Sequence, residues 1–281
     1  MKRRIGSNVR LNGVPRKLSG QPISNNPALT LFSVASCVAT LLRPRTGALR
    51  AGVFKHALTG VVAMTALLNP TTVNAATIED RLEQYGTNAR ARLAPHFIKA
   101  AVAYPPSALA FIGLKEEKIF QVYARSGTNG FSFIREYPIL AASGVAGPKL
   151  REGDKQVPEG IYAIELLNPN SSYHLSMRVG YPNASDREQA AKEGRTKLGG
   201  DIMIHGKAFS VGCLAMGDDA AEELFVLAAD TKIENMTVII APVDFRAGKT
   251  LPENAKLPSW TESLYPEIKK RLAEFPLPEK K

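Results

Sequence analysis

The chain has 281 residues, enough for one or two domains with a sizeable core, and a formal net charge of +10 at pH 7. The charge is concentrated at the start: ten of the 36 Lys and Arg residues precede residue 56, and the first acidic residue is Glu79. The remaining 26 basic residues match 26 acidic ones, so the body of the chain is formally neutral. This distribution excludes nucleic acid as an expected partner, because such a partner requires a basic face.

Residues 1–75 have the composition of a basic leader with a signal peptide. An apolar run at residues 57–68 follows basic residues, and Val73-Asn-Ala75 offers small residues to a signal peptidase. The run is too short to span a bilayer well, so we expect cleavage after Ala75, a periplasmic location and no stable membrane span after processing. Two alternatives stay open, namely that the run is a retained anchor or that Cys37 is a lipidation site.

The first element after the leader is a predicted helix at Thr77–Tyr104. Thr77 is a suitable N-cap, and Glu79-Asp80 suits the first turn. Apolar residues recur at helical spacing, but Gly86 and Pro95 predict that the helix is broken into two pieces. This helical segment, residues 76–107, ends at Tyr104-Pro-Pro.

Short apolar or alternating runs dominate the rest of the chain and predict an α+β fold. The expected strands are residues 108–114, 119–125, 131–139, 160–167, 173–180, 202–204 and 235–242, and the expected helices are 185–192, 218–229 and 259–273. We therefore expect a mostly β domain at 108–245, preceded by the helical segment and followed by a C-terminal linker and helix at 246–281. No metal-ligand cluster or phosphate loop occurs in the sequence, so we expect no metal and no cofactor.

Residues 202–216 carry the candidate chemistry. An apolar run leads to His205, and a short loop rich in small residues then carries Ser210, Gly212 and Cys213. The thiolate is the reactive form of cysteine, and a nucleophile beside a base is the minimal equipment for acyl transfer. Cys213 is the candidate nucleophile and His205 the candidate base, and we expect a ring nitrogen of His205 close enough to the sulfur to share its proton.

The surroundings of Cys213 suggest how it would be activated. Gly212 permits a close backbone approach, so the amides near Gly212 and Cys213 are candidate oxyanion donors. A helix capped by Asp218 would place Cys213 just ahead of a helix N-terminus and lower the pKa of its thiol. The alternative is that Cys213 is a buried small residue and His205 a hydrogen-bonded strand end. After loss of the leader Cys213 is the only cysteine, and a lone thiol in an oxidising compartment favours the functional interpretation.

Three motifs in sequence order resemble the YkuD-type L,D-transpeptidase family, in its YafK-like branch. They are Gly147-Pro-Lys149-Leu-Arg151-Glu-Gly153-Asp154 with Val157-Pro158-Glu159-Gly160, Asn168 to Ser176 with Tyr181-Pro182-Asn183, and His205-Gly206 with Ser210-Val-Gly212-Cys213. The resemblance implies Cys213 as the nucleophile and His205 as the base. It also implies Gly206, Ser210 and Gly212 as support.

The same resemblance implies a role in cell-wall biogenesis and cell shape. The expected substrate is a peptidoglycan stem peptide, cleaved next to diaminopimelate through a cysteine acyl-enzyme. The expected reaction is hydrolysis of that bond, an amidase activity that releases a wall-linked lipoprotein. The lipoprotein would then be a second partner. One alternative is a true L,D-transpeptidase that forms cross-links or attaches protein, and another is a catalytically inactive peptidoglycan-binding module.

Substrate-binding residues are expected beside the nucleophile. The polar loop at residues 144–158 borders the cleft by resemblance, which makes Lys149 and Arg151 candidates. Tyr173 and His174 are further candidates on one predicted strand, where adjacent residues face opposite sides, so only one of them can point at the site. His174 is either an orienting residue or a structural hydrogen-bonding group.

The sequence departs from the common family pattern on both sides of the cysteine. Val211 stands where most of the family has histidine, and Ala215 stands where most have Arg or Asn. A missing Arg at position 215 removes an obvious anchor for a substrate carboxylate. This departure favours hydrolysis over ordinary cross-link formation and leaves the nucleophile unchanged.

Overall fold

The computed structural model describes residues 75–253 and 255–279. The predicted signal run and Cys37 lie outside these residues. Among the helices that the structure describes, none is long and apolar enough to cross a membrane.

The described chain contains nine strands and four α-helices. In chain order they are α1 (Ile78–Lys99), β1 (Ala108–Leu114), β2 (Ile119–Arg125), β3 (Ser132–Pro138), β4 (Gly160–Tyr162), β5 (Ile164–Asn168), β6 (Ser176–Val179), α2 (Ala184–Lys192), β7 (Met203–His205), β8 (Leu214–Ala215), α3 (Asp218–Thr231), β9 (Met236–Ala241) and α4 (Thr261–Leu272). Two one-turn 3-10 helices, Ile233–Asn235 and Phe245–Ala247, flank β9. The predicted α+β fold with terminal helices is confirmed.

The strands form two sheets, one of five strands in the order β3-β2-β1-β9-β4 and one of four in the order β5-β6-β7-β8. Within the larger sheet β1 pairs antiparallel with β2 and parallel with β9. The predicted strand at residues 160–167 is divided between the sheets, because β4 pairs with β9 while β5 pairs with β6. The two-residue β8 escaped prediction, since it is defined by a parallel pairing with β7.

Both faces of the five-stranded sheet are buried, which explains the continuous apolar run of β1. Leu109 and Phe111 lie in the larger core cluster, with α1 and α3. The alternate residues Ala110 and Ile112 lie in a second cluster, with α4. A strand covered on both faces has no need for polar alternation.

Helix α1 begins as predicted and then departs from the prediction. Thr77 and Asp80 form a reciprocal capping box, in which the Thr77 hydroxyl accepts from the Asp80 amide and the Asp80 carboxylate accepts from the Thr77 amide. The expected break at Gly86 and Pro95 was wrong, because one continuous helix of 22 residues runs through both positions. The helix tolerates Pro95 because tertiary contacts hold it on both sides.

Those contacts are mainly apolar. Ala89, Leu93 and Phe97 of α1 are at most 2% exposed. Burying a Leu or Phe side chain contributes about 1.5–3 kcal/mol. By contrast, the ion pair between Arg90 and Asp230 involves an arginine side chain that is 40% exposed, and such pairs contribute about 0–1 kcal/mol. Apolar packing therefore contributes most to docking the N-terminal helix onto α3.

The C-terminal helix covers the other face of the larger sheet. Tyr265, Ile268 and Leu272 are its buried apolar residues. The Tyr265 hydroxyl donates to Glu159, and Glu159 also accepts from the ammonium of Lys115. Helix α4 thus joins a buried polar cluster at the start of β4 as well as an apolar face.

Candidate active site

One face of the four-stranded sheet forms the floor of a cavity of about 580 Å³. Two cross-strand rows build this floor, and their members all line the cavity: Leu166, Arg178 and Met203 in one row, and Asn168, Ser176 and His205 in the other. Because side chains alternate along a strand, the intervening residues Leu167, Met177 and Ile204 point into the apolar core, where each is buried. The alternation therefore places His205 at the floor of this cavity.

Cys213 lines the same cavity from the loop between β7 and β8. Its sulfur lies 3.3 Å from the Met203 amide, which donates to it, and 3.6 Å from the Asp201 carbonyl oxygen, to which the thiol donates. The preceding Gly212 has φ +93°, a conformation that glycine adopts without strain. The strand β7 and this glycine together fix the position of the thiol.

Two serine hydroxyls accept hydrogen bonds from the backbone amides that were predicted to be oxyanion donors. The Gly212 amide donates to the Ser143 hydroxyl at 2.6 Å, and the Cys213 amide donates to the Ser210 hydroxyl at 2.9 Å. Ser210 in turn donates to the Cys213 carbonyl. Ser210 therefore holds the turn that carries the thiol, and both amides are already paired in this conformation.

The imidazole of His205 is oriented by its own chain. Its Nδ1 lies 2.6 Å from the Gly206 carbonyl oxygen. Since a carbonyl oxygen only accepts, Nδ1 carries the proton, and Nε2 is left as the basic nitrogen of the neutral ring. The Tyr173 ring packs on the imidazole with centroids 4.7 Å apart. A Cβ at Gly206 would lie 2.8 Å from the Tyr173 carbonyl oxygen, so only glycine permits this close approach.

Burial sets the direction of both pKa shifts. It lowers the pKa of His205, although the hydrogen bond to the Gly206 carbonyl partly offsets the effect. It raises the pKa of the Cys213 thiol, and the Asp201 carboxylate adds to the increase, while the Met203 amide and Lys149 oppose it. Both shifts favour the neutral pair, a thiol beside an uncharged imidazole.

The predicted helix effect on Cys213 was wrong in direction. Helix α3 begins at Asp218, and strand β8 separates it from Cys213. Its N-cap is Gly217, which has no side chain to cap with, and Asp218 instead accepts a hydrogen bond from the Lys207 amide at 2.8 Å. Asp218 therefore holds the loop after His205, and the net shift of the thiol pKa is upward, with burial as its largest cause.

Cys213 and His205 share the cavity, but no hydrogen bond joins their side chains in the described residues. The thiol is directed at the Asp201 carbonyl, and the imidazole Nδ1 at the Gly206 carbonyl. The expected sharing of a proton therefore stays a prediction. Sharing that proton requires the thiol to leave the Asp201 carbonyl and approach Nε2 of His205.

Tyr173 and His174 lie just before β6 rather than on a strand, and they point in different directions. His174 has φ +73° and its Nε2 lies 3.0 Å from Glu222 of α3, while its ring packs edge-on against Tyr85 of α1. Tyr173 lines the Cys213 cavity. Only Tyr173 is thus at the candidate site, and His174 connects the segment to both helices.

Lys149 and Arg151 do not line the Cys213 cavity. Lys149 is buried, and its ammonium donates to Asp154 at 2.6 Å and to the Arg151 carbonyl oxygen. Arg151 lines a second cavity of about 700 Å³ together with Lys197 and Lys256. Lys149 therefore shapes the polar loop, and Arg151 belongs to a separate basic cavity.

Several residues at the site were missed by sequence reasoning. Arg178, Asp201 and Met203 line the Cys213 cavity, and the Ser143 hydroxyl accepts a hydrogen bond from Gly212 across a long sequence separation. Ser176 and Arg178 alternate on a predicted strand, which indicates that both side chains face the same side. The pairing of this strand with its neighbours could not be read from the sequence. Within the described ranges, no group of three or more His, Cys, Asp or Glu side chains is placed to hold a metal ion.

A mixed α+β domain with a thiol and an imidazole in one cleft defines the class of site. Residues 108–240 match the YkuD family, described as the L,D-transpeptidase catalytic domain. This match covers slightly less than half of the chain and confirms the resemblance drawn from the motifs.

The curated relatives and solved structures cover only part of the chain. "Putative L,D-transpeptidase YafK" of Escherichia coli is 36% identical over 113 residues, which are 40% of this chain and 43% of the relative. The alignment thus spans less than half of that relative. Among solved structures, the helical cell shape determining protein Pgp2 of Campylobacter jejuni is 23% identical over 52% of this chain and 50% of that chain, with a TM-score of 0.41. Bd1075 of Bdellovibrio bacteriovorus is 20% identical over 61% of this chain and 56% of that chain, with a TM-score of 0.36.

Proposed function

We propose that this protein is a cysteine-dependent acyl-transfer enzyme of the bacterial cell wall. It acts on the peptide bond next to diaminopimelate in a peptidoglycan stem. The observation that carries the proposal is the placement of the Cys213 thiol and the His205 imidazole in one cavity, with Nδ1 of His205 committed to the Gly206 carbonyl. That commitment leaves Nε2 as a base for the thiol proton.

The proposed reaction has two balanced halves. His205 Nε2 takes the thiol proton, the sulfur attacks the substrate carbonyl carbon, and a C–S bond forms. The C–N bond then breaks, and the imidazolium gives its proton to the departing amine. Water attacks the acyl-enzyme, His205 takes a proton from that water, the C–S bond breaks, and the thiolate regains the proton.

The raised pKa of the thiol is compatible with this sequence. Proton transfer need only occur when a substrate is present, since the neutral pair is the resting form. The oxyanion requires a donor, and the Cys213 amide becomes available when the Ser210 hydroxyl turns away from it. A substrate oxygen would then replace Ser210 as the acceptor.

We propose hydrolysis, with release of a wall-linked lipoprotein, as the outcome. Ala215 supports it, because this residue is fully buried in β8 and offers no polar group to hold a second stem peptide. The resemblance to the YafK-like branch is the basis for naming the lipoprotein.

Cross-linking is a second candidate, favoured by the basic cavity. Ser143 and Gln156 lie at the back of the Cys213 loop, where Ser143 accepts from the Gly212 amide. Gln156 also lines the cavity that contains Arg151, Lys197 and Lys256. An acceptor stem with free carboxylates would suit those cations.

A direct test is to detect the acyl-enzyme. The purified protein is mixed with a diaminopimelate-containing tetrapeptide stem, quenched in acid and analysed by intact mass. We expect a mass increase of the acyl group on the peptide that contains Cys213, with none in Cys213→Ala. Turnover that persists in Cys213→Ala would rule out covalent catalysis by this residue.

A further inference from the structure

Arg178 is the cation of the Cys213 cavity. Among the described residues that line the cavity, it is the only Lys or Arg, and Asp201 is the only carboxylate. Arg178 stands on β6 directly opposite Met203 of β7, and the Met203 amide donates to the Cys213 sulfur. Paired residues on adjacent strands have Cα atoms about 5 Å apart. The backbone of Arg178 therefore lies next to the residue whose amide donates to the thiol.

The guanidinium is not saturated by its neighbours. Its Nε lies 3.3 Å from the Glu165 carboxylate, and Nη1 lies 3.8 Å from the Asp201 carboxylate. Neither contact has hydrogen-bond geometry, and Nε is buried without a hydrogen-bond partner in the described part of the chain. The Glu165 carboxylate thus lies against Nε, whereas the terminal Nη1 and Nη2 atoms make no hydrogen bond among the described residues and are left to bind a ligand.

Asp201 provides the opposite charge at the same place. Its side chain is 83% exposed, whereas that of Arg178 is 38% exposed. The carboxylate is thus open to solvent at the edge of the cavity, with the guanidinium deeper beside it. A cation and an anion this close, each with unused hydrogen-bonding capacity, are complementary to a ligand that carries both charges on neighbouring atoms.

We propose that Arg178 and Asp201 form a recognition site for the zwitterionic end of the diaminopimelate side chain, with Arg178 on its carboxylate and Asp201 on its ammonium. This inference rests on the proposed function, which supplies a diaminopimelate stem as substrate. The free end of diaminopimelate carries an amino group and a carboxylate on one carbon. A terminal alanine offers a carboxylate alone, and a lysine side chain offers an ammonium alone.

Arg178 also bears on whether the cavity lacks a carboxylate anchor because position 215 is alanine. The common family pattern has Arg or Asn two residues after the cysteine, and Ala215 occupies that position here. Ala215 does not line the Cys213 cavity, whereas Arg178 brings a guanidinium to it from strand β6. A guanidinium binds a carboxylate through two parallel hydrogen bonds, so one arginine is sufficient for an oriented contact. The missing group at position 215 therefore does not leave the cavity without a carboxylate anchor.

Binding to the Cys213→Ala protein tests the site without relying on turnover. Three tetrapeptide stems serve as probes: one with diaminopimelate, one with the side-chain carboxylate of diaminopimelate converted to an amide, and one with lysine instead. Calorimetry should give an affinity for the first that is roughly tenfold or more above the other two, since hydrogen bonds to charged groups are the strong ones. Adding Arg178→Gln should abolish that preference and leave the affinity for the lysine stem within about twofold.

Matched variants separate recognition from general damage. Arg187→Gln removes an exposed arginine on α2 and should preserve the preference. Asp201→Asn should weaken binding of the diaminopimelate stem but not of an analogue whose side-chain amine is acetylated. Equal affinities for all three stems, no detectable binding of any stem, or equal weakening of all stems by Arg178→Gln would overturn the inference. The proposed function is judged separately, by formation of the acyl-enzyme in the protein that retains Cys213.

Discussion

The Tyr173 ring lies on the imidazole of His205, with centroids 4.7 Å apart and planes inclined by 46°. This contact covers the candidate base from the solvent side of the cleft, because Tyr173 is itself 41% exposed. The neighbouring His174 is held by Glu222 of α3. The tyrosine is therefore carried on a segment that is fixed to the helix following Cys213.

Replacing Tyr173 tests the value of this contact. Aromatic pairs contribute about 0.5–1.5 kcal/mol beyond buried area, so Tyr173→Ala should lower kcat/KM by about threefold to tenfold. Loss of the ring exposes His205, so its lowered pKa should rise toward the ordinary value. Because the base acts in its neutral form, the acidic limb of the pH–rate profile should shift to higher pH.

Tyr173→Phe is the control for that shift, since it keeps the ring and removes only the hydroxyl. We expect kcat/KM within about twofold of the wild type and an unchanged acidic limb. A phenylalanine variant as impaired as the alanine variant would assign the effect to the hydroxyl and contradict the role given to the ring.

Substitution of the nucleophile gives the simplest prediction. Cys213→Ala should abolish turnover and leave the free energy of unfolding nearly unchanged, because alanine is smaller and apolar and the sulfur makes only two weak hydrogen bonds to backbone groups in the described part of the chain. Cys213→Ser should also be nearly inactive, because a hydroxyl is far less available than a thiol as an anion near neutral pH. Kinetics and urea denaturation of the two variants check both statements.

The reactivity of the thiol should follow its raised pKa. Burial favours the neutral form of Cys213, so at a given pH below the pKa its thiolate fraction is smaller than that of an exposed thiol. Alkylation at Cys213, followed by peptide mass spectrometry, should be slow at neutral pH and should reach half of its limiting rate above the ordinary thiol pKa.

Asp201→Asn provides the internal comparison for alkylation. The Asp201 carboxylate contributes to the increase in the pKa of Cys213, so its removal should shift the alkylation profile to lower pH. If alkylation of the wild-type protein reached half of its limiting rate below the ordinary thiol pKa, Cys213 would rest as a thiolate. That result would support the expectation that the N-terminus of the following helix lowers the thiol pKa.

The local pattern of the sequence was sufficient for much of the fold. Strands β1 and β2 begin and end at the predicted residues, because each is an unbroken run ended by polar residues. Pro95 misled the prediction, since apolar packing of α1 outweighs the loss of one helical hydrogen bond. The two-residue strand β8 has no local signature and depends on its pairing with β7.

For the site, the sequence located residues but not their partners. The motif placed His205 and Cys213 in one cleft, as the cavity shows. The occupied amides depend on Ser143, which lies 69 residues from Gly212. For Arg178 the alternation with Ser176 could be read from the sequence, but only the order of strands β5, β6 and β7 shows that this face lines the cleft.

A buried carboxylate on α3 should matter for stability. Glu223 of α3 is 3% exposed and accepts hydrogen bonds from Arg92, Arg135 and Tyr137. Glu223→Ala leaves these donors without their acceptor. Breaking a buried pair costs about 3–5 kcal/mol, and the partly exposed arginines place this case near about 3 kcal/mol. Urea denaturation should show a lower midpoint with an unchanged m-value.

The matched control is Glu188→Ala, which removes an exposed pair with Lys192 on α2. Exposed pairs of this kind contribute little, so we expect no measurable change in the midpoint. If the two variants were equally stable, the Glu223 cluster would be a surface feature with no role in holding α1 and β3 to α3.

Hydrolysis and cross-linking differ in the acceptor of the acyl group, and we predict water. A transpeptidase must hold a second stem and exclude water while the acyl-enzyme waits. Ala215 is fully buried and offers no group for that purpose, although Arg178 supplies a cation for the first stem.

The purified protein is incubated with peptidoglycan that carries a covalently attached lipoprotein, and separately with bare peptidoglycan. Hydrolysis predicts free lipoprotein from the first and no new diaminopimelate–diaminopimelate cross-links in either. New cross-links that disappear in Cys213→Ala, without lipoprotein release, would show that an amine is the acceptor. Loss of those cross-links in an Arg151→Gln and Lys256→Gln double variant would then assign the acceptor stem to the basic cavity.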